Sequence, residues 1–419
     1  MEHIAATSGS GEAGDRASGL GGPSPNLLAA AVRPFSRAGG FYARSWRRYL
    51  NPDRGGELPI VRPTMALAGQ ALLDEVVLAG FRIVRSSGDP EAAVRIEQET
   101  VAAIELYERS GWCEHPERFF AAPPLLSEVT TRHVQTRRHA YERLSFESGY
   151  EPYAGEPGGT RWLSYAANGR ARAWMLRHDE PRPWLICVHG ASMGRPALDL
   201  NLFRTRWLHE DLGLNVLLPV LPLHGPRRRG VWKGAIFPGE DFQDNIHGSA
   251  QAVWDIRRLM SWIRAEDPDA RIGITGISLG GYVSSLVASL EDGLVCAILG
   301  VPAVDLVALI ERHAGLAPAD DLHRLLALGK QSGRVVSPLA LTPRVPLEGR
   351  FIYAGLADRL VHPRDQVLRL WEHWGRPEIA WYEGSHTGFS RSKTIGRFMR
   401  EALVRSGLAG PGRSVLVEP

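Results

Sequence analysis

Cysteine is nearly absent: Cys113, Cys187 and Cys296 are the only three in 419 residues. The count is odd, and Cys187 and Cys296 lie in apolar runs that read as buried strands. That excludes a disulfide framework and fits a reducing compartment. An uninterrupted apolar run of membrane length is missing as well. The nearest candidate, "MALAGQALLDEVVLAGFRIV" from Met65, is broken by Gln70, Asp74 and Glu75. Those polar groups indicate a packed amphipathic helix rather than a span. The N-terminal "MEHIAATSGSGEAGDRASGLGGPSPN" has no basic stretch leading into an apolar core, so it does not read as a secretory signal. The expectation is a soluble, cytoplasmic protein.

A strong charge of one sign is also lacking. Lys and Arg outnumber Asp and Glu by 49 to 46, a net charge of +3, which gives no case for nucleic acid or a membrane as the main partner. The basic segment "RSWRRYL" from Arg44 has two readings. One is peripheral contact with an anionic membrane surface, and the preferred one is a solvated or core-capping helix. There is no His-Glu-x-x-His, no cysteine pair at zinc spacing, no Walker lysine loop and no Gly-x-Gly-x-x-Gly. Neither a metal nor a cofactor is expected.

What is present is an ordinary globular composition, 44% hydrophobic and 23% charged. Residues 1–25 are rich in Gly, Ser and Ala and read as a disordered tail. Residues 26 to about 135 read as a mostly helical extension. Asp89-Pro90-Glu91 has the form of a helix start, and that helix should run to about Ser110. The proline-punctuated "PERFFAAPPLL" marks a boundary. From 136 to 408 the texture changes. "HAYERLSF" and "ARAWMLRH" read as an antiparallel start. Then follow "PWLICVHG", "LNVLLPVLP", "ARIGITG", "LVCAILGVP" and "GRFIYAGLAD", short apolar runs that suit a parallel sheet buried on both faces. Helical segments alternate with them, as over Ser249 to Arg264, which predicts a doubly wound α/β domain. Residues 304–347 read as a helical insertion and 409–419 as a C-terminal tail.

One hydroxyl stands out. In "ARIGITGISLGGYVSSLVASLEDG", Arg271 to Thr275 reads as a buried strand. Leu279, Tyr282, Val283, Leu286, Val287 and Leu290 then mark one face of a helix, with Gly293 as its stop. Ser278 therefore lies on a strand-to-helix turn, where Gly276 and Gly280 relieve crowding and the helix N-terminus offers free N–H groups. A serine needs a base to act as a nucleophile, and the base needs an orienting carboxylate.

"GISLGG", with "VHGASMG" upstream and "AGLADRLVHP" and "EGSHTGF" downstream, resembles the α/β-hydrolase family over about residues 140–405. The resemblance implies an α/β-hydrolase fold, a mostly parallel doubly wound sheet with flanking helices. It also implies the order Ser, then Asp or Glu, then His. On that order Ser278 is the nucleophile, Asp358 the acid and His386 the base. Asp305 is the rival acid and His362 a weaker rival base. Leu279 supplies one oxyanion N–H and Ala191 the other, with Ser192 as alternative and His189 orienting the loop. In "LPLHGPRRRG", His224 is a candidate substrate-binding residue. Arginines 227–229 are either an anion site or a solvated loop. The implied activity is hydrolysis of a small-molecule carboxylic ester, carboxylesterase- or lipase-like, without a cofactor. A prolyl-oligopeptidase-like peptidase, an acyltransferase with the same triad and a non-catalytic binding module stand as alternatives.

Overall fold

The computed structural model describes residues 25–51, 58–85, 90–232, 234–314 and 320–410. Nearly all of both expected tails, and Asp89 of the expected helix start, fall outside these. Three helices come first: α1 (Pro25–Leu50), α2 (Met65–Arg85) and α3 (Pro90–Arg109). The first strand, β1 (Thr130–Gln135), arises inside the stretch read as helical. It is an edge strand exposed along most of its length, so no buried alternation announced it. There follow β2 (Ala140–Glu147), α4 (Gly159–Ser164), β3 (Arg170–Leu176), β4 (Trp184–Val188), α5 (Pro196–Leu202), β5 (Asn215–Pro219) and α6 (Phe242–Glu266). The rest of the chain forms β6 (Ile272–Ile277), α7 (Leu279–Leu290), β7 (Leu294–Gly300), α8 (Leu306–Ala314), α9 (Asp320–Ser332), β8 (Arg350–Gly355), α10 (Leu368–His373), β9 (Glu378–Tyr382) and α11 (Lys393–Arg405).

The nine strands form one sheet in the order β1-β2-β3-β5-β4-β6-β7-β8-β9. The first three pair antiparallel, β3 meets β5 antiparallel, and β5 through β9 are parallel. Every residue of β4, β5 and β6 is buried. This is why these strands read as continuous apolar runs rather than as alternation. One face carries α6 and α7 through Ile246, Val253, Ile256, Val283 and Leu286. The other carries α5 and α11 through Leu200, Ile395, Phe398 and Leu403. Helix α11 shows the spacing that buries one face, with Ile395, Phe398, Ala402 and Leu403 inside.

Helix α6 begins seven residues before the expected Ser249. Asp241 caps it, its side chain accepting from the N–H groups of Gln243 and Asp244. Its first two turns bury Gln243, Asp244, Asn245 and His247, polar residues that hid the helix from an apolar-periodicity argument. The insertion is helical as expected, through α8 and α9. Among the described residues no helix is long and apolar enough to cross a membrane.

The chain crosses from β4 to β5 on one side and then returns to β6 on the other. The strand order therefore reverses around β4 and β6, and the crevice beyond their carboxyl ends is where sheets of this kind take ligands. Ser278 follows β6 there, and the loop from His189 follows β4.

Candidate active site

Ser278 joins β6 to α7 with φ 58° and ψ −116°, a conformation that L residues rarely adopt. It is held on three sides. Its N–H donates to Gly300 O at 2.9 Å, and its carbonyl accepts from Tyr282 and Ala303, each at 3.1 Å. The flanking glycines make the turn sterically feasible: a Cβ on Gly280 would run into the Val188 carbonyl, and one on Gly276 into Gly280 O and Ser284 Oγ. Gly281, the second glycine of the pair, faces Pro302, whose Cα would lie 2.9 Å from an added Cβ. Its smallness lets α7 approach the segment after β7.

Asp358 lies beyond β8, in "LADRLVHP", and is 2% exposed. Its Oδ1 accepts from the N–H groups of Leu360 and Val361 at 2.9 and 2.8 Å. Its Oδ2 is 2.7 Å from His386 Nδ1. A carboxylate only accepts, so Nδ1 carries the proton and Nε2 is left as the basic nitrogen. Burial opposes a charged His386, but the charge and hydrogen bond of Asp358 outweigh it, with Asp74 adding to them. Together they hold the imidazolium pKa above its ordinary value.

The rival residues are engaged elsewhere. Asp305 Oδ1 caps α8 by accepting from Ala308 N–H at 2.9 Å, and its Oδ2 pairs with Arg369 at 3.2 Å. His362 Nδ1 is 3.0 Å from Asp365. Burial and then the Arg312 charge depress its pKa to about 4.

The loop after β4 lies against Ser278, since a Cβ on Gly190 would sit 3.6 Å from that of Ser278. His189 fastens this loop: Leu221 N–H donates to its Nε2 at 3.1 Å, so Nδ1 carries the proton it gives to Gly190 O at 2.8 Å. Burial pushes its pKa down to about 4, so it is neutral. Ala191 is exposed, and Ser192 has φ 65°. Asp199, which sequence reasoning missed, anchors the far end of the loop. It accepts from Gly194 N–H at 3.1 Å and from Trp174 Nε1 at 2.9 Å. Burial raises its pKa to about 6.

His224 is buried, donating from Nδ1 to Pro222 O at 2.8 Å, with its ring centroid 5.1 Å from that of His189. Burial, and then His189, lower its pKa to about 3. Neither expectation for the arginines holds at Arg227, which is neither an open anion site nor solvated. It is 1% exposed, pairs with Asp255 at 2.8 Å and donates to the carbonyls of Val220 and Asn168. Arg228 and Arg229 are exposed.

A cavity of about 490 Å³ opens between the insertion and α6–α7, lined by Phe242, Ile246, Tyr282, Val304, Val307 and Arg334 among others. Tyr282 is one helical turn from Ser278, and Val304 follows the residue bonded to the Ser278 carbonyl. Among the described residues no group of three or more His, Cys, Asp and Glu side chains is placed to hold a metal ion.

No family model matches the chain. Two uncharacterized proteins of Mycobacterium tuberculosis are each 56% identical to it over 393 residues, 93% of this chain and 94% of theirs. They are MT2702 (strain CDC 1551 / Oshkosh) and Rv2627c (strain ATCC 25618 / H37Rv). Among solved structures, acetyl xylan esterase 1 from a Thermoanaerobacterium species is similar at 16% identity and a TM-score of 0.48, covering 71% of this chain and 93% of that one. At 56% identity over nearly their whole lengths, the chain belongs to one family with the two mycobacterial proteins, and with its strand order, its switch point between β4 and β6 and the turn at Ser278 it has the α/β-hydrolase fold.

Proposed function

We propose that this chain is a serine hydrolase that cleaves a carboxylic ester through an acyl-enzyme on Ser278. The observation that carries the proposal is the 2.7 Å pair of His386 with buried Asp358. It stands at the same carboxyl edge of the sheet at which Ser278 holds its strained turn.

His386 Nε2 takes the Ser278 proton as Oγ attacks the ester carbonyl, and returns it to the leaving alcohol. Water then attacks the acyl-enzyme with His386 again as base, releasing the acid and restoring Ser278. Asp358 fixes the tautomer and stabilises the imidazolium. The N–H of Leu279, at the start of α7, and that of Ala191 stabilise the oxyanion. The cavity beside α7 receives one side of the substrate. His224 offers it only Nε2, a neutral acceptor, because Nδ1 is spent on Pro222.

Labelling with a fluorophosphonate probe, together with turnover of p-nitrophenyl esters, tests this. Wild type should label, and Ser278→Ala and His386→Ala should not. Asp358→Asn should lower kcat by up to roughly 10⁴-fold, and Asp305→Asn, which keeps the helix-cap acceptor and loses only the charge paired with Arg369, should leave it near wild type. No labelling of folded wild type, or undiminished labelling of Ser278→Ala, sinks the proposal.

A further inference from the structure

Helix α2 belongs to the N-terminal helices, outside the α/β sheet and its flanking layers, yet its buried face meets the loops carrying Asp358 and His386. That face comprises Leu67, Ala71, Asp74, Glu75 and Leu78. Two of these are carboxylates, each 1% exposed, which a purely apolar packing surface would not contain.

Their partners explain them. Asp74 Oδ2 accepts from two backbone N–H groups, Arg359 at 2.9 Å and His386 at 3.0 Å. These residues are 27 positions apart in the chain; one directly follows Asp358 and the other is His386 itself. A single oxygen of α2 thus ties the acid's loop to the base's loop. One turn earlier, Gln70 Oε1 accepts from Ser385 N–H at 2.9 Å. Glu75 holds the side chain of Arg359 at 3.0 Å.

We propose that α2 is a brace for the catalytic pair, with Asp74 as a positioning residue that fixes the separation of Asp358 and His386 and adds its charge to the field on the imidazole. This rests on the hydrolase reading of those two residues, and none of the three polar positions on α2 touches substrate in it.

The charged and titratable groups around Asp74 set the electrostatics. Asp358 and Arg359 face it from the loop after β8, and His386 and Tyr382 from the end of β9. Glu75 adjoins it on α2, with Arg37 of α1 and Arg312 of α8 beyond. Burial, and then Asp358, raise the Asp74 pKa to about 6. His386 titrates above its ordinary value, and one cause is the charge on Asp74. Its negative charge favours the imidazolium.

The test uses full-length protein with isotope-labelled histidine. The His386 ring is titrated by NMR in wild type and Asp74→Asn, beside the pH dependence of p-nitrophenyl ester turnover. Asparagine keeps an acceptor for both N–H groups but removes the charge. The His386 midpoint should fall by about half a unit or more, and the acid limb of kcat/KM should move with it. Asp74→Ala, which also removes the acceptor, should lower kcat by roughly 10- to 100-fold with little change in KM. If Asp74→Ala does not fold, Gln70→Ala carries that arm and should lower kcat in the same sense.

An unmoved His386 midpoint in Asp74→Asn, with wild-type kcat in the folded alanine variant, overturns the brace. The NMR arm needs no turnover. If wild type neither labels nor hydrolyses esters while the midpoint still falls in Asp74→Asn, the brace on the pair stands and the hydrolase reading fails.

Discussion

Ser278 is held in a backbone region that costs a non-glycine residue on the order of 1–3 kcal/mol. Three backbone hydrogen bonds and two close glycine contacts impose that conformation. Glycine would adopt it freely but has more freedom to lose on folding, which offsets part of the gain. Ser278→Gly should therefore raise the urea unfolding free energy by about 1 kcal/mol while removing all fluorophosphonate labelling. A lower unfolding midpoint in this variant would mean that the serine side chain contributes more by packing than its backbone costs. The strain then has no functional reading. At this scale the sequence was most legible, because a strand, a Gly-x-Ser-x-Gly turn and a helix with apolar residues at helical spacing are adjacent in the chain, although that helix, read as burying one face, is buried on every side. The pairing of Asp358 with His386 depends on strands brought together from 28 residues apart. Only the resemblance selected those two from among the other acids and 14 histidines.

Elements buried on both faces announced themselves, and elements that bury polar groups did not. Strands β4 to β8 were visible because both of their faces are apolar. The first turns of α6 were not, because Gln243, Asp244, Asn245 and His247 are buried against hydrogen-bonding partners rather than against apolar ones. For the same reason Gln70, Asp74 and Glu75 were legible as marks against a membrane span but not as ligands of the His386 and Arg359 loops, 284 to 315 residues away. Arg227 is the clearest case: in the sequence it is one of three consecutive arginines in a loop. In the fold it pairs with Asp255 of α6, 28 residues further on, and with the carbonyls of Val220, just after β5, and Asn168, just before β3. Removing one partner strands a buried charge, so Arg227→Ala should cost about 3–5 kcal/mol in urea unfolding. Arg229→Ala, at an exposed position, should stay within roughly 0.5 kcal/mol. Equal effects at the two positions would show that the Arg227–Asp255 pair contributes nothing beyond a surface charge.

For the molecule as a whole, the same buried groups that shape the site give stability a particular dependence on pH. His189 and His224 are held neutral by burial, with pKa values near 4 and 3 in the folded chain against about 6.5 when unfolded. The unfolded state thus binds more protons below about pH 6.5, and each histidine withdraws stability as the pH falls, at up to about 1.4 kcal/mol per unit. Asp74 and Asp199 have the opposite sign. Their folded pKa values are raised, to about 6, above an unfolded value of about 3.9. The folded state therefore binds more protons between pH 6 and 4, and each carboxyl adds stability as the pH falls through that window. The two contributions meet near pH 6. Above it His189, His224 and His362 withdraw stability while His386, whose folded pKa is raised, adds some; three against one, the urea midpoint should decline as the pH is lowered from 7.5. Below it the carboxyls oppose them, and the decline should flatten toward pH 5. Asp74→Asn removes one of the opposing carboxyls without changing His189 or His224, so its midpoint should fall more steeply than wild type between pH 6 and 4. Urea unfolding of both proteins at half-unit steps measures the difference directly. Parallel curves through that window would mean that Asp74 titrates alike in the folded and unfolded chains, and that its burial against the His386 loop leaves no mark on global stability.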